Sequence, residues 1–133
     1  MIIRREAFKK CERLCSQKII YSLFKNGNIF YMSLYKVIWI RSEKESPYPA
    51  QVAFSVPKRS FRHAVIRNLL KRRIREAYRK HKHVLYDFLR SQNIRIAFII
   101  IFRDNSVPDY LLVEKSIKEL ISKLKSEVME INK

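Results

Sequence analysis

The segment "IRIAFIIIF", residues 94 to 102, carries one charge among nine residues and has the length of a strand rather than of a helix. A strand with one face open to water alternates apolar and polar side chains, so a near-continuous apolar run belongs at the centre of a sheet covered on both faces. The rest of the chain must supply that cover. From about Arg13 to Lys25, Leu14, Ile19, Ile20, Leu23 and Phe24 recur at helical spacing, and "NGN" supplies a stop. "YMSLYKVIWIR" and "AQVAFSV" are rich in β-branched and aromatic residues and flank the polar "SEKESPYP", which predicts two strands joined by a hairpin loop. In "DYLLVEKSIKELISKLKSEVMEI", Leu112, Ile117, Leu120, Ile121, Leu124 and Val128 mark a last helix, with Asp109 as its cap. The predicted fold class is α+β: a small two-layer sandwich of order α-β-β-(β)-α-β-α.

With 133 residues, 47% of them hydrophobic, one Gly and no repeat or low-complexity run, one domain spanning 1–133 is expected. The start "MIIRREAFKKCERL" lacks the apolar stretch of a signal peptide, and "IAFIIIF" is far shorter than the roughly 20 residues of a membrane span. A cytoplasmic protein is expected. Cys11 and Cys15 fit that compartment as reduced thiols; with His81 and His83 they do not form a familiar zinc spacing.

Charge points to the partner. The chain carries a formal +17, and residues 57–83 hold eleven Lys or Arg against the single acid Glu76, a local +10. On a helical wheel with Ile66 at zero, Leu70, Ile74 and Ala77 fall with it inside roughly 80° and predict the buried stripe. Arg67, Lys71, Arg75, Asn68, Arg79 and Arg72 fill roughly 100° to 240°, with Tyr78 among them. Solvated helix faces normally interleave signs; here neighbours repel by a few tenths of a kcal/mol per pair, an arrangement that a polyanion offsets. Seven of the eleven cations are Arg, whose fork suits phosphate and whose plane stacks on bases, which favours folded RNA. A general RNA-binding module of ribosomal-protein type and an anionic-membrane-surface protein are the alternatives. The second is weakened by an apolar arc without Trp or Phe. Asp87, Asp104 and Asp109 lack the spacing of a two-metal nuclease, and no catalytic side-chain set is evident.

The stretch "SVPKRSFRHAVIRNLLKRRIREAYR", Ser55 to Arg79, resembles the basic signature of the bacterial ribonuclease P protein component. "ERLCSQKIIYSLFKNG" is similar to the first helix of that family, and "FIIIFR" to its last strand. Two positions depart from the pattern: Pro57 precedes the Lys58-Arg59 pair, and Leu69 stands where the Arg-Asn-Arg triplet has its second Arg. The resemblance implies that Lys58, Arg59, Arg62, Arg67, Asn68, Lys71, Arg72 and Arg75, with Arg73 and Arg79 beside them, bind a catalytic RNA subunit. It implies a leader-binding cleft for precursor tRNA, for which Ile20, Phe24, Tyr35 and Arg103 are the candidates. It implies a left-handed strand-helix-strand crossover through the basic helix, one protein per RNA, no membrane partner, and Mg2+ bound mainly by the RNA, which performs the hydrolysis that frees the tRNA 5′ end.

Overall fold

The computed structural model describes residues 7–131. After a 3₁₀ turn at Lys10–Glu12, the elements are α1 (Gln17–Asn26), β1 (Asn28–Met32), β2 (Tyr35–Arg41), β3 (Ala50–Ser55), α2 (Ala64–Ser91), β4 (Ile96–Phe102) and α3 (Tyr110–Ile131). The optional third strand is therefore present. The sheet order is β1-β2-β4-β3: β4 pairs antiparallel with β2 and parallel with β3, and α2 is the crossover between β3 and β4.

That order corrects the expected hairpin. Residues 42–49 do connect β2 to β3, but β4 is inserted between the two strands, because the apolar run needs neighbours on both edges. The true hairpin is β1–β2, closed at Ser33 and Leu34, where Ser33 takes a left-handed φ of 51°. The segment read as one strand from Tyr31 to Arg41 is thus two, folded back on themselves.

Alternation along the strands divides the side chains between two faces. Phe30, Tyr35, Val37, Trp39, Val52, Ile96, Phe98, Ile100 and Phe102 face α2 and α3, which bury Leu70, Ile74, Tyr78, Leu85, Ile117, Leu120 and Leu124 against them. Leu23 of α1 packs on the other face with Leu14, Ile38, Ala97 and Ile99. The anticipated stripe on α2 is shifted: Tyr78, placed by the wheel among the cations, is fully buried and rings with Phe54 and Phe98, whereas Ile66 is only partly covered. An aromatic ring beside the aliphatic stripe gains more by facing the sheet than by standing between arginines.

The first helix starts later than its periodicity suggests. Ser16 accepts the Ile19 N–H and caps α1, while Arg13 and Leu14 run alongside the outer edge of β3, where the Leu14 N–H reaches the Val52 carbonyl at 3.0 Å. Cys11 and Cys15 consequently lie outside the helix, free and exposed. At the other end, Gly27 is demanded by space, not by torsion: its φ is −68°, but a Cβ would collide with the Leu23 carbonyl oxygen and with Ile38. Replacing Gly27 by Ala should lower stability by about 1–3 kcal/mol in a urea titration. A neutral result would mean that α1 can lift from β2 freely.

A buried polar network ties the 3₁₀ turn to α2. The carboxylate of Glu12, fully buried, accepts from Lys82 Nζ and Tyr86 Oη, each at 2.6 Å, and from the Lys9 N–H at 2.5 Å; Lys82 also donates to the Ala7 carbonyl. Phe8, Tyr48 and Tyr86 present their rings to the same ammonium.

Burial also governs behaviour in base. Loss of solvent pushes the Tyr35 phenol up to about 12, against a smaller opposite pull from Ser116, and desolvation likewise raises Tyr78 and Tyr86. In the unfolded chain these phenols ionise near pH 10, so their contribution to stability is complete below that value and is lost as pH rises toward the folded-state values. A spectrophotometric titration should therefore show these three of the seven tyrosines ionising late and together with unfolding. Seven superimposed transitions near pH 10 would contradict the packing.

Candidate nucleic-acid interface

The loop before α2 is pinned from beneath. Val56 and Phe61 are buried, Phe61 sits against the Phe102 ring, and a turn bonds the Ser60 N–H to the Pro57 carbonyl. Lys58 and Arg59 between those anchors, and Arg62 just after the second, point outward and are exposed. Arg67 stitches loop to helix, donating to the carbonyls of Phe61 at 2.8 Å and Arg62 at 3.0 Å. On α2 itself Asn68, Arg72 and Arg75 are exposed and Lys71 partly so. Among the described residues, the side chains of Lys58, Arg59, Arg62, Asn68, Lys71, Arg72 and Arg75 have no partner within the chain.

Two further cations stand differently. Arg73 donates to the Pro108 carbonyl at 2.6 Å and so links α2 to the segment before α3. Arg79 forks onto Glu76 at 3.0 and 2.6 Å, and that bond holds the Glu76 carboxyl below its ordinary range. Leu69 is partly buried and lies outside the cationic arc. The stripe is therefore a line of unneutralised charge running from the loop along the first half of α2.

The cleft candidates divide. Tyr35 belongs to the core: it is fully buried on the α2–α3 face, its hydroxyl 2.7 Å from Ser116 Oγ, and it cannot offer a ring to a ligand. Ile20 packs partly covered between α1 and the sheet. Phe24 is exposed, as is Arg103, whose guanidinium lies 4.6 Å from the centre of the Tyr31 ring. Tyr31 was not anticipated. It is 55% exposed, pairs with Lys36 across the hairpin, and has the Lys36 ammonium 5.9 Å from its ring. With Ile29 it forms an aromatic and cationic platform on the α1 side of the sheet. The available signal was strand parity: Phe30 and Tyr31 must face opposite ways, but the turn at Ser33 conceals which tyrosine faces out.

His81 bonds Glu114 at 3.0 Å between α2 and α3, and among the described residues no three His, Cys, Asp or Glu gather to hold a metal. Asp109 instead accepts the Leu112 N–H and caps α3. Among the described residues no helix is long and apolar enough to cross a membrane.

An α+β domain that lays a cationic helix across one side and keeps an aromatic platform open on the other is of the polyanion-binding class. Comparison with known proteins gives the family. The Ribonuclease P family model matches residues 8–125. Among curated proteins, the ribonuclease P protein component of Porphyromonas gingivalis is 34% identical over 122 residues, covering 90% of this chain and 87% of its own. That of Chlorobium phaeobacteroides is 30% identical over 129 residues, covering 90% and 88%. Two solved structures share the fold. The Staphylococcus aureus RNase P protein has a TM-score of 0.65 at 23% identity, covering 85% of this chain and 94% of its own, and the Thermotoga maritima RNase P protein 0.67 at 20%, covering 84% and 96%. This chain belongs to the ribonuclease P protein component family, a part of an endoribonuclease complex that processes tRNA. Membership implies partnership with a ribonuclease P RNA.

Proposed function

We propose that this chain binds the catalytic RNA of ribonuclease P through Lys58, Arg59, Arg62, Asn68, Lys71, Arg72 and Arg75, with Arg67 bracing the loop that carries the first three. The supporting observation is the row of cationic side chains without a partner among the described residues, set on the loop before α2 and on the first half of that helix. Arg forks and Lys ammoniums arranged this way meet phosphates, release counterions and orient the RNA without reading its sequence. Arg73 and Arg79, held by Pro108 and Glu76, act by fixing the helix and its charge distribution.

The single-stranded 5′ leader of precursor tRNA lies on the opposite platform. Bases stack on Tyr31 and on exposed Phe24, and Arg103 and Lys36 hold the backbone. Hydrolysis belongs to the RNA and its Mg2+. The chain contributes binding: it neutralises phosphates, lowers the magnesium the RNA needs, and increases substrate affinity. It works in the cytoplasm, one copy per RNA.

Reconstitution tests this. Protein, a bacterial ribonuclease P RNA and precursor tRNA are combined at limiting magnesium, and release of the leader is followed. Cleavage should require the protein, and Tyr31→Ala should weaken binding of leader-bearing precursor while leaving affinity for mature tRNA unchanged. Tight RNA binding without stimulation would instead indicate a general RNA-binding module.

A further inference from the structure

A second cationic site lies at the other end of α2. A cavity of about 440 Å3 opens between the end of β2, the loop 42–49 and the last turn of α2; Arg41, Arg90 and Arg95 line it with Ser42, Ser46 and Glu43. The fold brings the three arginines together. Arg41 ends β2 opposite Ile96, Arg95 immediately precedes that residue, and Arg90 occupies the last turn of α2. Three guanidiniums against the carboxylates of Glu43 and Glu45 leave the wall cationic by one charge, and the interface described above uses none of them.

The details suit an anion. Arg90 is positioned by the Tyr86 ring, 5.8 Å from its guanidinium, and makes only a long 3.5 Å bond to the Pro47 carbonyl. Arg95 touches Glu45 at 3.4 Å, but the Glu45 side chain is 90% exposed. Such a surface pair is weak, and a phosphate offering bidentate geometry exchanges with it readily. The hydroxyls of Ser42 and Ser46 each accept a backbone N–H, from Lys44 and Tyr48, which leaves their own protons to donate.

We propose that this cavity is a phosphate-binding site, and that its occupant is a backbone phosphate of the same RNA that the basic stripe holds; the inference rests on the proposed function. At 1.5 Å per residue, the 15 to 22 positions of α2 between Arg75 or Asn68 and Arg90 amount to about 22–33 Å, so the two sites meet different phosphates on a folded RNA. One anchor allows the protein to pivot on its partner. Two anchors joined by a continuous helix fix its direction.

The experiment measures affinity of the full chain for a ribonuclease P RNA across a salt series, beside titration with inorganic phosphate alone. The variants are Arg90→Gln with Arg95→Gln, Arg95→Glu alone, and Arg72→Ala with Arg75→Ala as reference. Arg95→Glu leaves the Tyr86 contact intact, so a folded protein remains for test even if the double variant unfolds. Either cavity variant should weaken RNA binding roughly five- to tenfold and flatten the slope of log affinity against log salt by about one. Loss of inorganic phosphate binding with RNA affinity unchanged would overturn the RNA assignment in favour of free phosphate. If the cavity variants change neither and the reference pair still weakens RNA binding, the site falls while the proposed function stands. If no variant alters RNA binding, both fall.

Discussion

Glu12→Ala should destabilise the protein by about 3–5 kcal/mol, because it leaves the Lys82 ammonium buried without its counter-charge. Water cannot easily take over: Lys82 is 8% exposed and enclosed by Phe8, Tyr48 and Tyr86. Tyr86 loses its acceptor in the same step. Urea denaturation gives the number directly. A double variant, Glu12→Leu with Lys82→Met, should be distinctly more stable than Glu12→Ala alone, because an apolar pair of similar volume carries no desolvation cost. A loss below about 1 kcal/mol for the single change would mean that the pair is solvated and the 3₁₀ turn only loosely seated.

Changing Lys58, Arg62, Arg72 and Arg75 together to Ala should reduce affinity for the ribonuclease P RNA roughly a thousandfold near 0.1 M salt, and lower the log–log salt slope by about three. Each lost phosphate contact removes about 0.7–0.9 from that slope, which near 0.1 M corresponds to roughly five- to eightfold in binding. These side chains are exposed or unpartnered, so the melting temperature should hardly move. Arg73→Ala should do the reverse: its bond to the Pro108 carbonyl is structural, so stability falls by about 1 kcal/mol while the salt slope persists. Equal loss of RNA affinity for Arg73→Ala and for Arg72→Ala would show that the stripe does not discriminate between the two faces.

Local signals served the sequence reading well. The apolar run at 94–102 contains an interior strand of the sheet, Asp109 caps the last helix, and the cations of 57–75 stand largely outward. What escaped it depends on partners distant along the chain. Nothing near Glu12 indicates a buried acid, since Lys82 lies 70 positions away. Tyr78 falls within the charged arc and is drawn inward only because Phe54 and Phe98 wait beneath it. Tyr35 faces the core and Tyr31 the open side because the turn at Ser33 and Leu34 resets the inside–outside count of what reads as one strand. Arg67 is recognisably basic, yet its attachment to the Phe61 carbonyl follows from where the loop runs.

The position of β4 bears on how the chain is built during synthesis. It is the last strand to be translated but lies in the interior of the sheet. Until residues 96–102 leave the ribosome, the β1–β2 hairpin and β3 cannot join, and each presents a bare apolar edge. Assembly must await a long helix and then close around the newest segment, as an arch stands only after its keystone is set.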